Sequence, residues 1–145
     1  MTKPILRSFH ADDAKSILNR DGKQAEAEST LLQATQGPSF TAECDGVVLG
    51  CGGVAMMWPG VGACWMMLAE DIGPHGLWLS RTTRDFLQTV KREANLHRLE
   101  AMALQVSVRN QAWLELCGFR REQNGIAKSY LPDKRSMVRF ELVED

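Results

Sequence analysis

A chain of 145 residues is long enough for one domain with a real core, and 44% apolar against 24% charged residues excludes a disordered chain. Its formal net charge of −1 gives nucleic acid no general attraction. The start MTKPILRSFH is broken by charges and a proline before any apolar run, and no window holds the ~18 uncharged apolar residues of a membrane helix, so a cytoplasmic protein without a membrane partner is expected.

In chain order, Pro4–His10 alternates as a short strand, and Ala11-Asp12-Asp13 offers a cap and first-turn acids for a helix through about Asn19. The run 23–36 is rich in helix formers and stops at Gly37-Pro38. Ser39–Cys44 and Val47–Val54 then read as strands joined by a tight Asp45-Gly46 turn. MMWPGVGACWMM, 56–67, follows, with Pro59-Gly60 dividing it into the arms Gly53–Trp58 and Val61–Leu68. Period-2 spacing puts Trp65, Met67 and Ala69 on one face of the second arm and Cys64, Met66 and Leu68 on the other. Both faces are apolar, so a strand covered on two sides is expected, with only the tip around Trp58 in question.

The clearest helix spans about Leu77–Asn95, with Leu79, Thr83, Phe86, Leu87, Val90 and Ala94 as its apolar stripe. Arg81, Arg84, Lys91 and Arg92 are read as its solvated face rather than a nucleic-acid surface. Residues 98–108 predict a strand and Asn110–Cys117 a short helix closed by Gly118, while Ala127–Leu131 and Met137–Val143 predict a terminal hairpin around Pro132-Asp133-Lys134-Arg135. The four cysteines make no CxxC pair and no histidine stands at zinc spacing from them, so small buried thiols and no metal are expected. One mixed α/β (α+β) domain over 1–145 accounts for the order β-α-α-β-β-β-α-β-α-β-β.

That order, together with SVRNQAWLELCGFRRE at 107–122, resembles the GNAT (GCN5-related N-acetyltransferase) superfamily across nearly the whole chain. Narrower segments, ACWMMLAED, LWLSRTTRDF and SVRNQAWLELCGF, are similar to GNAT-like virion and morphogenesis proteins of short-tailed phages and prophages. The superfamily resemblance implies acetyl-CoA as cofactor and an amine as acceptor. The narrower one implies a virion-associated or assembly role, with protein partners, in which acyl transfer need not occur.

By that resemblance the splayed strand is Cys64–Ala69, and main-chain groups of Met67, Leu68 and Ala69 would meet the pantetheine arm and the oxyanion. The pyrophosphate turn maps to Gly73, His75, Gly76, Leu77 and Trp78, at a helix start. Ser107, Asn110 and Trp113 would complete the cofactor site from the short helix. The turn departs from the family's Gln or Arg, two residues, Gly, one residue, then Gly or Ala. Gly73 lacks the long side chain, Pro74 lacks an amide, and Glu70 and Asp71 precede an anion site. Trp78 stands where a small residue belongs, so its removal would be expected to strengthen CoA binding. Leu114 occupies the place of the family's proton-donating tyrosine, which leaves Ser107 or water for that role, and Glu70 or Glu43 as general base. Tyr130, the single tyrosine, falls on the terminal hairpin.

Overall fold

The turns at Asp45-Gly46 and Pro59-Gly60 organise the front half of the protein. Asp45 and Gly46 both take positive φ, 53° and 77°, the primed-turn geometry that matches strand twist, and Gly60 has φ 89°. Together they fold three successive apolar segments into a meander. The computed structural model describes residues 3–21 and 31–143.

Seven strands form one sheet: β1 (Ile5–Arg7), β2 (Ser39–Cys44), β3 (Val47–Trp58), β4 (Val61–Leu68), β5 (Arg98–Leu104), β6 (Arg120–Ala127) and β7 (Met137–Val143). Their order is β1-β2-β3-β4-β5-β7-β6, and the β4–β5 pair is parallel. The helices are α1 (Ala11–Asp21), α2 (Gly76–Glu93) and α3 (Val108–Leu116), with a 3-10 turn at Gly73–His75 leading into α2. Residues 31–34 are also helical, and the rest of the helix expected over 23–36 lies mostly outside the described residues. Because β4 and β5 are parallel, the chain must cross between them, and α2 is that crossover.

The sheet is covered on both faces. One cluster joins Leu79, Leu87 and Val90 of α2 to Trp113, Leu114 and Cys117 of α3 and to Leu68, Leu99, Ala101 and Ala103 of the sheet. The other joins Ala14 and Ile17 of α1 to Val48, Cys51, Ala55, Trp65 and Met67. Trp65 and Met67 thus face α1 and Cys64, Met66 and Leu68 face α2, as the alternation predicts, but Ala69, past the end of β4, joins the α2 side. Strand β3 is buried continuously from Val48 to Ala55, and its two ends, Val47 and the tip residues Met56, Met57 and Trp58, are exposed.

Three readings of the sequence need correction. Strand β6 runs Arg120–Ala127 and ends where the predicted strand Ala127–Leu131 began. It is an edge strand with a register shift between Arg121 and Ile126, and its residues RREQNG show no apolar alternation. Ala94, placed in the apolar stripe by the sequence, is exposed because α2 ends at Glu93 and Ala94 is its non-helical cap, while Lys91, expected on the solvated face, is buried. Strand β5 ends at Leu104, four residues before the predicted end at 108.

The start of α1 is held by Asp13. Its carboxylate accepts from Arg7 at 2.7 and 3.0 Å, from the His10 amide at 2.8 Å and from the Thr41 hydroxyl at 2.7 Å. The reach back to the His10 amide is half of a capping box. Burial alone would raise the acid's pKa, but these donors outweigh it and hold the Asp13 carboxyl below the ordinary range.

Candidate functional site

The ladder between β4 and β5 holds three pairs only, Val61 with Arg98, Gly62 with Leu99 and Ala63 with Glu100. Beyond them β4 continues pairing with β3 as far as Leu68, and β5 with β7 as far as Leu104. The two parallel strands therefore diverge, opening a V with its apex at Ala63 and Glu100 and its mouth at the end of β4. Main-chain groups of a splayed parallel pair are not all consumed by the sheet, and buried ones require partners. The predicted splay of Cys64–Ala69 is thus present.

At the mouth, Arg109 in the first turn of α3 donates from Nη2 to the Ala69 carbonyl at 2.8 Å. The Ala69 amide is also engaged, donating to the Leu49 carbonyl at 2.9 Å. Ala69 is therefore closed off on both main-chain groups, and its amide is not free for the oxyanion role expected of it. The side chain that makes this bond is an arginine that sequence reading overlooked. Its signal was present, two residues after Ser107, but which strand end it meets depends on where β4 stops.

Behind the mouth lies a cavity of about 110 Å³ between the sheet and the two helices. Of the expected cofactor residues, Leu68, Asn110 and Trp113 line it, as does Leu114. Trp113 is buried at 7% exposure and Asn110 stands exposed at the rim. Met67 contributes its main chain to β4 but turns its side chain to the α1 side. Ser107 caps α3, its hydroxyl oxygen accepting from the Asn110 amide at 3.4 Å.

The turn before α2 uses most of its own donors. Pro74 has none, the His75 amide donates to the Ile72 carbonyl at 3.0 Å, and the Gly76 amide donates to the Gly73 carbonyl. Gly73 takes φ 47°, and Leu77 is exposed. Trp78 is half-buried and packs against the main core cluster. The steric objection drawn from its position in the sequence loses force, since the indole is engaged in the core.

The candidate bases separate. Glu70 is exposed directly after Ala69, at the mouth of the V. Glu43 lies on β2, two strands away, with Oε2 3.1 Å from Arg7 Nε, and the structure does not bring it to the V. The carboxylate at the apex is instead Glu100, whose Oε1 accepts from Arg98 Nε at 2.9 Å. Tyr130 is exposed in the β6–β7 loop.

Two buried side-chain polar atoms have no hydrogen-bond partner among the described residues, Trp65 Nε1 and Thr83 Oγ1. The first belongs to the α1 side, where the indole meets Phe9 edge-on at 5.6 Å. The second belongs to Thr83, a residue beside the cavity, and the oxygen itself is sealed from solvent. An orphaned buried hydroxyl costs about 1–3 kcal/mol, which makes Thr83 conspicuous on an otherwise packed helix. Cys64 and Cys117 also line the cavity, and burial pushes the Cys117 thiol up to about 12, so it stays protonated at neutral pH. Among the described residues no group of three side chains could hold a metal ion, and no helix is long and apolar enough to cross a membrane.

No protein-family model matches the chain, and no curated protein matches it. Solved structures do. An IAA acetyltransferase from Bacillus cereus is 18% identical, with 98% of this chain and 100% of that chain covered, at a TM-score of 0.75. An acetyltransferase (GNAT family) from Bacillus anthracis is 14% identical over 99% of this chain and 98% of its own, at 0.70. A Bacillus subtilis acetyltransferase in complex with CoA is 16% identical, with both chains covered at 100% and a TM-score of 0.71. At these identities the likeness concerns architecture, and over nearly its whole length this chain has the GNAT fold.

Proposed function

We propose that the protein is a coenzyme A-dependent N-acyltransferase. The observation that carries this reading is the open edge between β4 and β5, spanned at its mouth by Arg109. The likeness to acetyltransferases, one of them solved with CoA, is consistent with it.

The residues fit such a cofactor in an unusual way. The turn at Gly73–His75 offers few donors, but Arg109 places a permanent cation at the same end of the V. Its bond to the Ala69 carbonyl is to a neutral acceptor. A diphosphate would offer the same guanidinium charged, bidentate acceptors, so Arg109 compensates for the donors that Pro74 and the tied amides lack. Bound acyl-CoA would supply an activated thioester carbonyl. Main-chain amides of β4 before Ala69 would orient that carbonyl and stabilise charge on its oxygen. Glu70, at the mouth, would accept the proton shed by the attacking amine. Leu114 carries no proton, so the Ser107 hydroxyl or a water would provide one to the departing sulfur. Leu68, Asn110 and Trp113 would wall the path, with Met67, Gly76, Leu77 and Trp78 shaping its approach.

The test is a thermal-shift titration with CoA, confirmed by calorimetry, on the wild-type chain and Arg109→Ala. Ligand at a hundredfold excess over its dissociation constant adds about 2.7 kcal/mol, worth roughly 5–10 °C in a domain of this size. Loss of a hydrogen bond to a charged group costs about 1.5–3 kcal/mol, so Arg109→Ala should weaken binding about tenfold or more. Absence of any shift at millimolar CoA would overturn the reading. It would leave the alternative of a non-catalytic GNAT fold in a virion or assembly role. The consumed amides of the turn favour only the non-catalytic part of that alternative, and the exposed tip at Met57 and Trp58 offers an apolar surface without pointing to a virion.

A further inference from the structure

The two ends of α2 face different surroundings. At 1.5 Å per residue its 18 residues set the turn at Gly73–His75 and the last helical residue, Glu93, about 27 Å apart. At the far end, between the close of α2 and the start of β5, lies an open cleft of about 480 Å³ lined by Gln88, Lys91, Arg92, Asn95, Leu96 and His97. We infer that this cleft is a second binding site, for a small molecule that carries a phosphate group. The site is separate from the V and does not depend on the acyltransferase reading.

The cleft is rich in donors and poor in acids. Among the described residues no carboxylate lines it, although the chain has 18 acidic residues against 17 basic ones. Gln88, Arg92, Asn95 and His97 are exposed, and among the described residues none of these four side chains has a hydrogen bond or ion pair. Arg98, one residue beyond His97, is different, since Glu100, Glu122 and Glu141 take up its guanidinium. Arg92 offers five N–H groups in a planar fork, and the amides of Gln88 and Asn95 offer two each. That supply exceeds what the two oxygens of a carboxylate need and suits the three of a phosphate ester, which a guanidinium can hold by two bonds. Lys91 and Arg92 also complement the helix dipole, which explains their sign but not the amide donors beside them.

The walls are fixed by the backbone. The Ala94 and Leu96 amides donate to the Val90 and Lys91 carbonyls, both at 2.9 Å, and Asn95 between them takes φ 52°. The His97 and Arg98 amides both donate to the Gly60 carbonyl, at 2.8 and 3.1 Å, which ties the other wall to the β3–β4 hairpin. Leu96 and Lys91, each 5% exposed, lie deepest. The volume falls within the roughly 300–1,000 Å³ of small-molecule sites, so there is room for an organic body behind the phosphate.

The test is a ¹H–¹⁵N NMR titration of the full chain at about 0.15 M salt with inorganic phosphate, phenyl phosphate and benzoate. Saturable shifts are expected with both phosphates at the side-chain amides of Gln88 and Asn95 and at the Arg92 Nε–H. Benzoate should bind about tenfold more weakly than phenyl phosphate. Arg92→Ala should weaken phenyl phosphate about tenfold or more. Asn95→Asp keeps a residue at ease with positive φ, adds a negative charge, and should abolish saturation. Both positions are exposed, so both variants should keep the wild-type urea midpoint. Arg109→Ala should leave the shifts at this cleft unchanged. Shifts confined to the mouth of the V, or rising without saturation, would overturn the inference. Equal affinity for benzoate and phenyl phosphate would overturn the phosphate class and the inference with it. Glu144 and Asp145 follow Val143, which pairs with Arg98. Phosphate binding that appears only in Glu144→Gln/Asp145→Asn would also overturn the inference, by assigning the cleft to those two acids.

Discussion

Trp78 carries one role by its place in a motif and another by its packing in the fold. Aligned on the family's turn, it stands where a small residue should let phosphates approach the backbone, and its deletion would be expected to help. In the structure its indole packs against the core cluster that includes Leu79 and Ile72. Removing a half-buried tryptophan opens a void and places glycine in the first turn of a helix, together about 3 kcal/mol. Trp78→Gly should therefore lower the urea midpoint markedly and give no gain in CoA affinity by calorimetry. Tighter binding with unchanged stability would restore the steric account. Thr83 carries the opposite lesson. It was visible as a hydroxyl within an apolar stripe, and only its missing back-bond, a property of the folded helix, distinguishes it from Ser80.

At the scale of elements, α1 depends on one carboxylate. Asp13 ties Arg7 of β1, the His10 amide and Thr41 of β2 into the helix start, and Arg7 in turn holds Glu43. Its folded pKa is depressed, so this contribution is fully present above the unfolded value near 3.9 and is lost as pH falls through the folded one. Asp13→Asn should be less stable than the wild type at pH 7, with the gap closing as urea midpoints are followed below about pH 4. Parallel curves would mean that the cluster contributes packing alone. The turn residues made the β2–β3 and β3–β4 hairpins legible, because Asp45-Gly46 and Pro59-Gly60 encode them locally. Strand β6 was not legible, since an edge strand with a polar face and an irregular register carries no alternation to read. Element order alone brings Leu68, Asn110 and Trp113 to one cavity, as the sequence led one to expect of their positions. The candidate site was not legible at Arg109, which becomes a site residue only through where β4 ends, far from it in sequence.

Across the whole molecule, the V divides the sheet into two bodies. Strands β1 to β4 form one meander, and β5, β7 and β6 form the other, tied by Arg98 to Glu100, Glu122 and Glu141. Three ladder pairs at the apex, the α2 crossover and the packing of α2 and α3 join them, and Arg109 adds one bond at the far end. A lever closed at one end is most sensitive at the other. Arg109→Ala should therefore act locally in the ligand-free protein. A bond worth about 1 kcal/mol implies amide exchange about fivefold faster over residues 64–69 and the first turn of α3, measured by mass spectrometry. The β2–β3 and β6–β7 ladders, which have their own closed pairing, should exchange as before. Uniform acceleration over the whole sheet would mean that the two bodies share one opening event and that the guanidinium fastens the fold as a unit. A change confined to the mouth would make Arg109 a clasp that a competing anion can release without loosening the rest.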